Sequence, residues 1–255
     1  MQIAGRGRVF VWQGASLWVL AADGKDAGTS VHAHHAHQVT LSLEGGFALT
    51  DANRTCTGPV SAVAADHPHG FSATGKAALL FIEPESTAGR AVSARLPVGA
   101  AMTDFDPAPL APAMAALHAC FVAESPDADF IAIGRTLVTL LCGETPTKAL
   151  DTRVQAMIDH VRAHLDGPVD LASAAGSACL SPSRARHLFA AETGLSFKAF
   201  VLWQRLERAV ECYAEGHSLT EAAHLAGFAD SAHLSRTFRK TFGIPASQLE
   251  LSRPG

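Results

Sequence analysis

The chain lacks any uninterrupted run of about 18 apolar residues, the length a helix needs to cross a bilayer. Its first residues, MQIAGRGRVF, lack the apolar stretch of a secretory signal. Both absences point to the cytoplasm and away from a membrane partner. Cysteine is scarce. Cys56, Cys120, Cys142, Cys179 and Cys212 are scattered and never take C-x-x-C spacing, which excludes a zinc ribbon or dithiol redox motif and predicts reduced, mostly buried thiols. Also missing are the P-loop, the G-x-G-x-x-G dinucleotide turn, the G-x-S-x-G elbow and the H-E-x-x-H zinc helix. None of these motifs indicates an enzyme class, so the expectation is a protein that is not an enzyme.

An excess of positive charge is missing as well. The net charge is −4, where many nucleic-acid binders are basic. The acidity is local, however: from Lys148 onward lie 12 of the 20 Lys and Arg and 11 of the 24 Asp and Glu. The C-terminal part is therefore near neutral, and its arginines can still gather on one face.

What is present is 255 residues, 48% of them hydrophobic, enough for one large or two ordinary domains. Residues 1–100 carry short alternating or apolar runs, VFVW, SLWVL, HQVTLSLEGGFAL and ALLFIE, broken by Gly, Pro and Asp. Such runs predict the strands of a β-sandwich or barrel. Between Pro97 and Pro112 the composition turns to Pro, Ala and Asp, which reads as a loop. Two helical patterns follow, PAMAALHACFVAE and ADFIAIGRTLVTLLCG; they are expected to cover the β domain, mediate dimer contacts, or both. GETPTK, Gly143–Lys148, is the linker candidate. The expected organisation is α+β: a β domain over 1–100, linking or dimerisation helices and a linker over 101–147, and an all-α domain over 148–255.

The C-terminal part repeats itself. At an offset of 49 residues, Leu171–Gly194 aligns with Thr220–Gly243, placing Ala174 on Ala223, Phe189 on Phe238 and Gly194 on Gly243. Each copy reads as a short Ala-rich helix, a tight turn and a second helix. In the first copy Ala185, Leu188 and Phe189 share one face of the second helix, leaving Ser183, Arg186, His187 and Ala190 on the other. In the second copy Leu234 and Phe238 point inward, and Ala232, Ser235, Arg236 and Arg239 point out. An apolar back with an Arg/Ser/His front, behind a crossing helix, is the geometry that enters a DNA major groove.

The tandem units, the helix FKAFVLWQRLERAVECYAEG between them and the segment AAHLAGFADSAHLSRTFRKTFGIPASQ resemble the DNA-binding domain of the AraC/XylS family of transcriptional regulators. The resemblance covers about 100 residues. It implies base-reading positions at Ser183, Arg186 and His187 in the first unit and at Ser231, Ala232, Ser235 and Arg236 in the second, with Arg239 and Lys240 on phosphate. It also gives Arg205 and Ala209 to the connecting helix. Two departures stand out: Pro245 comes one position early, and Leu249-Glu250 replaces an aromatic-Arg pair.

Relatives of this length carry an N-terminal sensing domain, usually a cupin-type barrel. Against the cupin signature, His32-x-His34, Gln38 and Gly45 fit with Gln in place of Glu, and Gly58 and His69 fit its second part. By strand parity His32, His34, Gln38, Thr40 and Ser42 share one face, and His35 and His37 the other. His32, His34, Gln38, Thr40 and His69 are thus the candidate effector pocket. Three imidazoles and an amide oxygen, from His32, His34, His69 and Gln38, are also a candidate divalent transition-metal site. Purely structural histidines are the third alternative. His35 and His37 are expected at the surface or between domains.

The function implied is an AraC-type regulator in the cytoplasm whose DNA binding or activation responds to a small effector. Double-stranded DNA, the effector, RNA polymerase for an activator, and a second copy in a homodimer are the expected partners. No cofactor is required on this reading. The competing reading is a metal-dependent cupin enzyme or a metal sensor using the same four residues.

Overall fold

The computed structural model describes residues 7–246, with residues 23–27 described by backbone alone. The described residues form two compact units, one of residues 7–147 together with those from Phe238 on, the other Lys148–Thr237.

The first unit is built on one antiparallel sheet. Its strands are β1 (Gly7–Trp12), β2 (Ala15–Gly28), β3 (His37–Thr50), β4 (Thr55–Cys56), β5 (Val60–Val63), β6 (Gly70–Ile82) and β7 (Met102–Asp104), in the order β1-β2-β6-β3-β5-β7 with β4 beside β3. Register sorts the two faces. Leu17, Leu80, Val39 and Ala62 lie opposite one another across four strands, and all are buried. One residue along, Ser16, Phe81, Gln38 and Val63 form the neighbouring row on the opposite face. Gly45 and Gly75 face each other at the bend of β3 and β6 with φ of +76° and +82°. A side chain at Gly45 would set its Cβ 2.2 Å from the Thr74 carbonyl oxygen, so that bend requires glycine.

Helices α1 (Thr87–Arg95), α2 (Ala111–Val122) and α3 (Asp127–Cys142) belong to the same unit. Leu17, Val19, Val39, Leu41, Leu80 and Ile82 pack with Phe130, Leu137 and Leu141 of α3. Each buried aliphatic or Phe side chain contributes about 1.5–3 kcal/mol. Phe10 stacks on Phe130 at 4.6 Å between centroids, and the Arg8 guanidinium lies 4.3 Å from the same ring. α2 and α3 fall where the apolar spacing predicts them.

Two elements depart from the sequence reading. α1 lies within the region read as a β domain, beyond its last strand run; Ser86 starts it, its hydroxyl accepting the Gly89 N–H at 2.9 Å. β7 lies in the stretch read as loop, paired with Ser61–Val63 and burying Met102. Short elements of this kind rest on tertiary pairing more than on local periodicity.

The second unit holds α4 (Thr152–Ala163), α5 (Leu171–Ser177), α6 (Pro182–Thr193), α7 (Phe197–Ala214), α8 (Leu219–Leu225) and the start of α9 (Ser231–Phe242). Each of α4 to α8 begins at an Asp or Ser whose side chain accepts a first-turn N–H: Asp151, Asp170, Ser181, Ser196 and Ser218. Ser218 and Glu221 complete a capping box. Phe189 and Phe200 anchor the core with Val154, Met157 and Val161. Ala174 and Ala175 of α5, and Ala222 and Ala223 of α8, are fully buried, so small side chains sit where helices cross closely.

The repeat holds with one change of register. Leu180 N–H donates to Ala175 O and Cys179 N–H to Gly176 O; Phe228 N–H donates to Ala223 O and Gly227 N–H to His224 O. The Ala-rich helices therefore match at 48 residues, pairing Ala174 with Ala222 rather than Ala223. The 49-residue offset is restored by one extra residue in the second turn. Cys179 (φ +53°) in the first turn takes the left-handed place that Gly227 (φ +74°) takes in the second.

Candidate functional site

The histidines predicted to converge do so. His32, His34, Gln38, Thr40 and His69 are all buried in the first unit. β3 starts only at His37, so His32 and His34 precede the strand on which parity placed them. His32 is held instead by an isolated antiparallel bridge to His69. Each ring gives its Nδ1–H to a backbone carbonyl two residues away: His32 to Ser30 at 2.8 Å, His34 to Ala36 at 3.1 Å and His69 to His67 at 2.9 Å. A carbonyl only accepts, so these bonds fix the proton on Nδ1 and leave Nε2 a lone pair. Burial keeps the rings neutral. It lowers the pKa of His32, drives that of His34 well down with help from the neighbouring His69 and His32, and brings His69 to about 4.

Gln38 sits between them. One end of its amide lies 3.1 Å from His34 Nε2 and 3.3 Å from His69 Nε2; the other lies 3.0 Å from Thr40 Oγ1. The two amide ends are equal in shape. With the NH₂ toward the rings, its two N–H groups donate to His34 and His69 while the oxygen accepts the Thr40 hydroxyl, and the cluster closes without an ion. With the oxygen toward the rings, lone pairs of Gln38, His32, His34 and His69 converge. Ligand atoms of the three histidines lie within 4.8 Å of one another, so this second state fits a divalent transition metal.

Beside the cluster the pocket is apolar. Trp18 and Leu20 of β2 and Leu79 and Phe81 of β6 form its floor, with Phe242 and Ile244 across from them. Parity on β2 and β6 is the signal that would have found the floor. Nothing local in the sequence joins it to Phe242.

His35 and His37 are not surface residues: both are buried. The face opposite Gln38 is covered by helices rather than solvent. His37 Nδ1 accepts the Ala65 N–H at 3.2 Å and its Nε2 lies 3.0 Å from Ser93 Oγ of α1; burial, then nearby His35, lowers it to about 4. His35 lies 2.7 Å from Asp66 and 3.3 Å from the buried carboxylate of Glu85. Burial opposes its charge, but these carboxylates prevail and raise it to about 9.

The predicted DNA-facing residues lie outward. On α6, Ser183, Arg186 and His187 are exposed above buried Ala185 and Phe189. On α9, Ala232, Arg236, Arg239 and Lys240 are exposed and Ser231 and Ser235 half-exposed, above buried Leu234 and Phe238. Arg205 of α7 turns inward, its guanidinium donating to Gly167 O at 2.8 Å, and Ala209 is buried. Leu249 and Glu250 lie outside the described residues.

Residues 174–251 match the sequence profile of a helix-turn-helix domain. The arabinose operon regulatory protein of Escherichia coli is 33% identical over 101 residues, 39% of this chain and 35% of that protein. The C-terminal repeat is a helix-turn-helix domain, similar in sequence to part of that regulator. Regulatory protein ada of Salmonella typhimurium is 37% identical over 81 residues, 32% of this chain and 23% of that protein. The chain thus spans about a third or less of these relatives' length. Among solved structures, ToxT of Vibrio cholerae is similar with a TM-score of 0.57 and 12% identity over 96% of both chains. ToxT with a bound unsaturated fatty acid gives a TM-score of 0.54 and 11% identity, over 96% of this chain and 94% of that one. These likenesses establish the fold: an antiparallel-sheet domain followed by the helix-turn-helix domain. Among the described residues, no helix is long and apolar enough to cross a membrane.

Proposed function

We propose that the protein is a sequence-specific, DNA-binding transcriptional regulator of the AraC type, modulated by a small effector held in a cupin-like N-terminal domain. The observation that carries this is the pair of exposed Arg/Ser rows on α6 and α9, each over a buried apolar back, within the helix-turn-helix domain. Arg186 and Arg236 read bases, with Ser183, His187, Ser231, Ala232 and Ser235 adding short contacts. Arg239 and Lys240 hold phosphate. The protein works in the cytoplasm on double-stranded DNA as a homodimer, and contacts RNA polymerase when it activates.

The fatty acid bound by ToxT supports an effector site in the N-terminal domain. Coupling follows from α9 itself, which carries Ser235 and Arg236 in its middle and Phe242, a wall of the pocket, at its end. The six residues from Arg236 to Phe242 span about 9 Å of helix. An effector that shifts Phe242 acts on the helix that reads DNA. Footprinting on the region upstream of the protein's own gene tests this reading: protection over two neighbouring major grooves supports it, and uniform cleavage refutes it.

A second reading, a metal sensor, draws on the convergence of His32, His34 and His69. These rings with Gln38 Oε1 would hold the ion, which would supply a cross-link between the residues before β3 and the His69 segment. Elemental analysis of the purified protein separates the two readings: stoichiometric metal lost on His34→Ala favours the ion, and a metal-free protein the organic effector.

A further inference from the structure

We infer that the N-terminal pocket takes an uncharged, ring-sized apolar molecule carrying a hydrogen-bond donor, which enters by displacing the side chain of Phe242. The inference rests on the regulator reading and names the class of its effector.

Space gives the first argument. The open cavity is about 30 Å³, far below the roughly 150 Å³ of a cavity that takes up benzene. An effector of more than a few atoms therefore has to move a wall. Trp18, Leu79 and Phe81 belong to strands paired continuously from Ala15↔Ile82 to Ala22↔Gly75, so the ladder fixes the backbone that carries them. Phe242 is the last residue of α9. Its displacement breaks no ladder.

The shape of the space Phe242 fills gives the second. Its ring centroid is 5.1 Å from Trp18, 5.7 Å from the edge-on ring of Phe81 and 4.8 Å from Phe238. Faces and edges at these separations complement an aromatic ring. A planar ring thus replaces Phe242 with the least rearrangement.

Polarity gives the third. Among the described residues, the polar ones of the lining are Thr29, His32 and Gln38, and no Lys or Arg is among them. The Nδ1–H of His32 is committed to Ser30 O, which leaves Nε2 as an acceptor. A hydroxyl or N–H on the ligand satisfies it. A carboxylate would be buried with no cation among the described lining residues to pair with.

The test is titration of the full-length protein with 4-methylphenol, toluene, benzoate and oleate by calorimetry, with tryptophan fluorescence reporting Trp18. 4-Methylphenol is expected to bind one site about tenfold more tightly than toluene, the worth of one hydrogen bond, and benzoate and oleate more weakly than either. His32→Leu is expected to erase the preference over toluene. Phe242→Leu, a conservative change that opens space, is expected to tighten 4-methylphenol binding. Absence of 4-methylphenol binding, tighter binding of either carboxylate, or a preference unchanged in His32→Leu overturns the inference. Footprinting on the same preparations separates the two readings: a footprint without 4-methylphenol binding refutes the ligand class alone, and 4-methylphenol binding without a footprint refutes the regulator.

Discussion

His32 and His69 exchange both backbone hydrogen bonds, each 2.9 Å, and their ring centroids lie 4.5 Å apart. This single bridge joins the two halves of the histidine cluster, 37 residues apart in the chain. Gln38 completes it from β3.

The amide of Gln38 decides whether the cluster closes on itself or gathers an ion. Gln38→Glu removes the two N–H donors to His34 and His69 and adds a negative charge, and so should convert the hydrogen-bonded cluster into a metal site. Titration with Ni²⁺ is expected to show about ten- to a hundredfold tighter binding to the variant. Equal affinity for wild type and variant would contradict the assigned role of Gln38.

Acid should destabilise the first unit. His37 and His69 titrate near 4 in the fold and near 6.5 unfolded, so between those values the unfolded chain binds more protons. Stability therefore falls as pH drops from about 6.5 through about 4. His35 works in the other direction. Its folded value of about 9 exceeds 6.5, so its contribution is complete below pH 6.5 and disappears as pH rises through 9. Urea unfolding from pH 4 to 10, on wild type and on His35→Gln, checks both limbs; His35→Gln should flatten the alkaline one.

The two turns of the helix-turn-helix domain should respond oppositely to substitution. Cys179 is exposed at φ +53°, a conformation that costs a non-glycine residue about 1–2 kcal/mol. Cys179→Gly should recover about 1 kcal/mol of that. Gly227→Ala should be destabilising, because a Cβ there lies 2.2 Å from Leu165 O. Denaturant midpoints of the two variants report the signs directly.

These cases show where sequence was informative. The second helices of the repeat, α2, α3 and the alternation of β3 are local periodicities, and a local pattern reveals them. The convergence of His32, His34, Gln38 and His69 was legible through residue type and spacing, although the first two precede the strand. His35 and His37 were misplaced because parity distinguishes two faces without saying what covers each; α1 covers theirs, and it falls in a region read as a β domain. Phe242 was out of reach. Its place beside Trp18 depends on a contact over more than 220 residues of chain, and no periodicity carries that.

The reading face makes a quantitative claim of its own. Arg186→Ala and Arg236→Ala should each weaken specific binding by about 1–3 kcal/mol and relax the base preference at one position. Arg239→Ala should weaken binding to all sequences alike and reduce the salt slope by about 1. Binding titrations on matched and mismatched duplexes distinguish the two patterns.

The most direct test of the central claim is selection of genomic fragments by the full-length protein, followed by binding titrations of the enriched fragments over a salt series. The account predicts a shared motif of two half-sites about 10 base pairs apart, bound with an affinity that falls steeply as salt rises. Fragments with no common motif, or an affinity indifferent to salt, would contradict it.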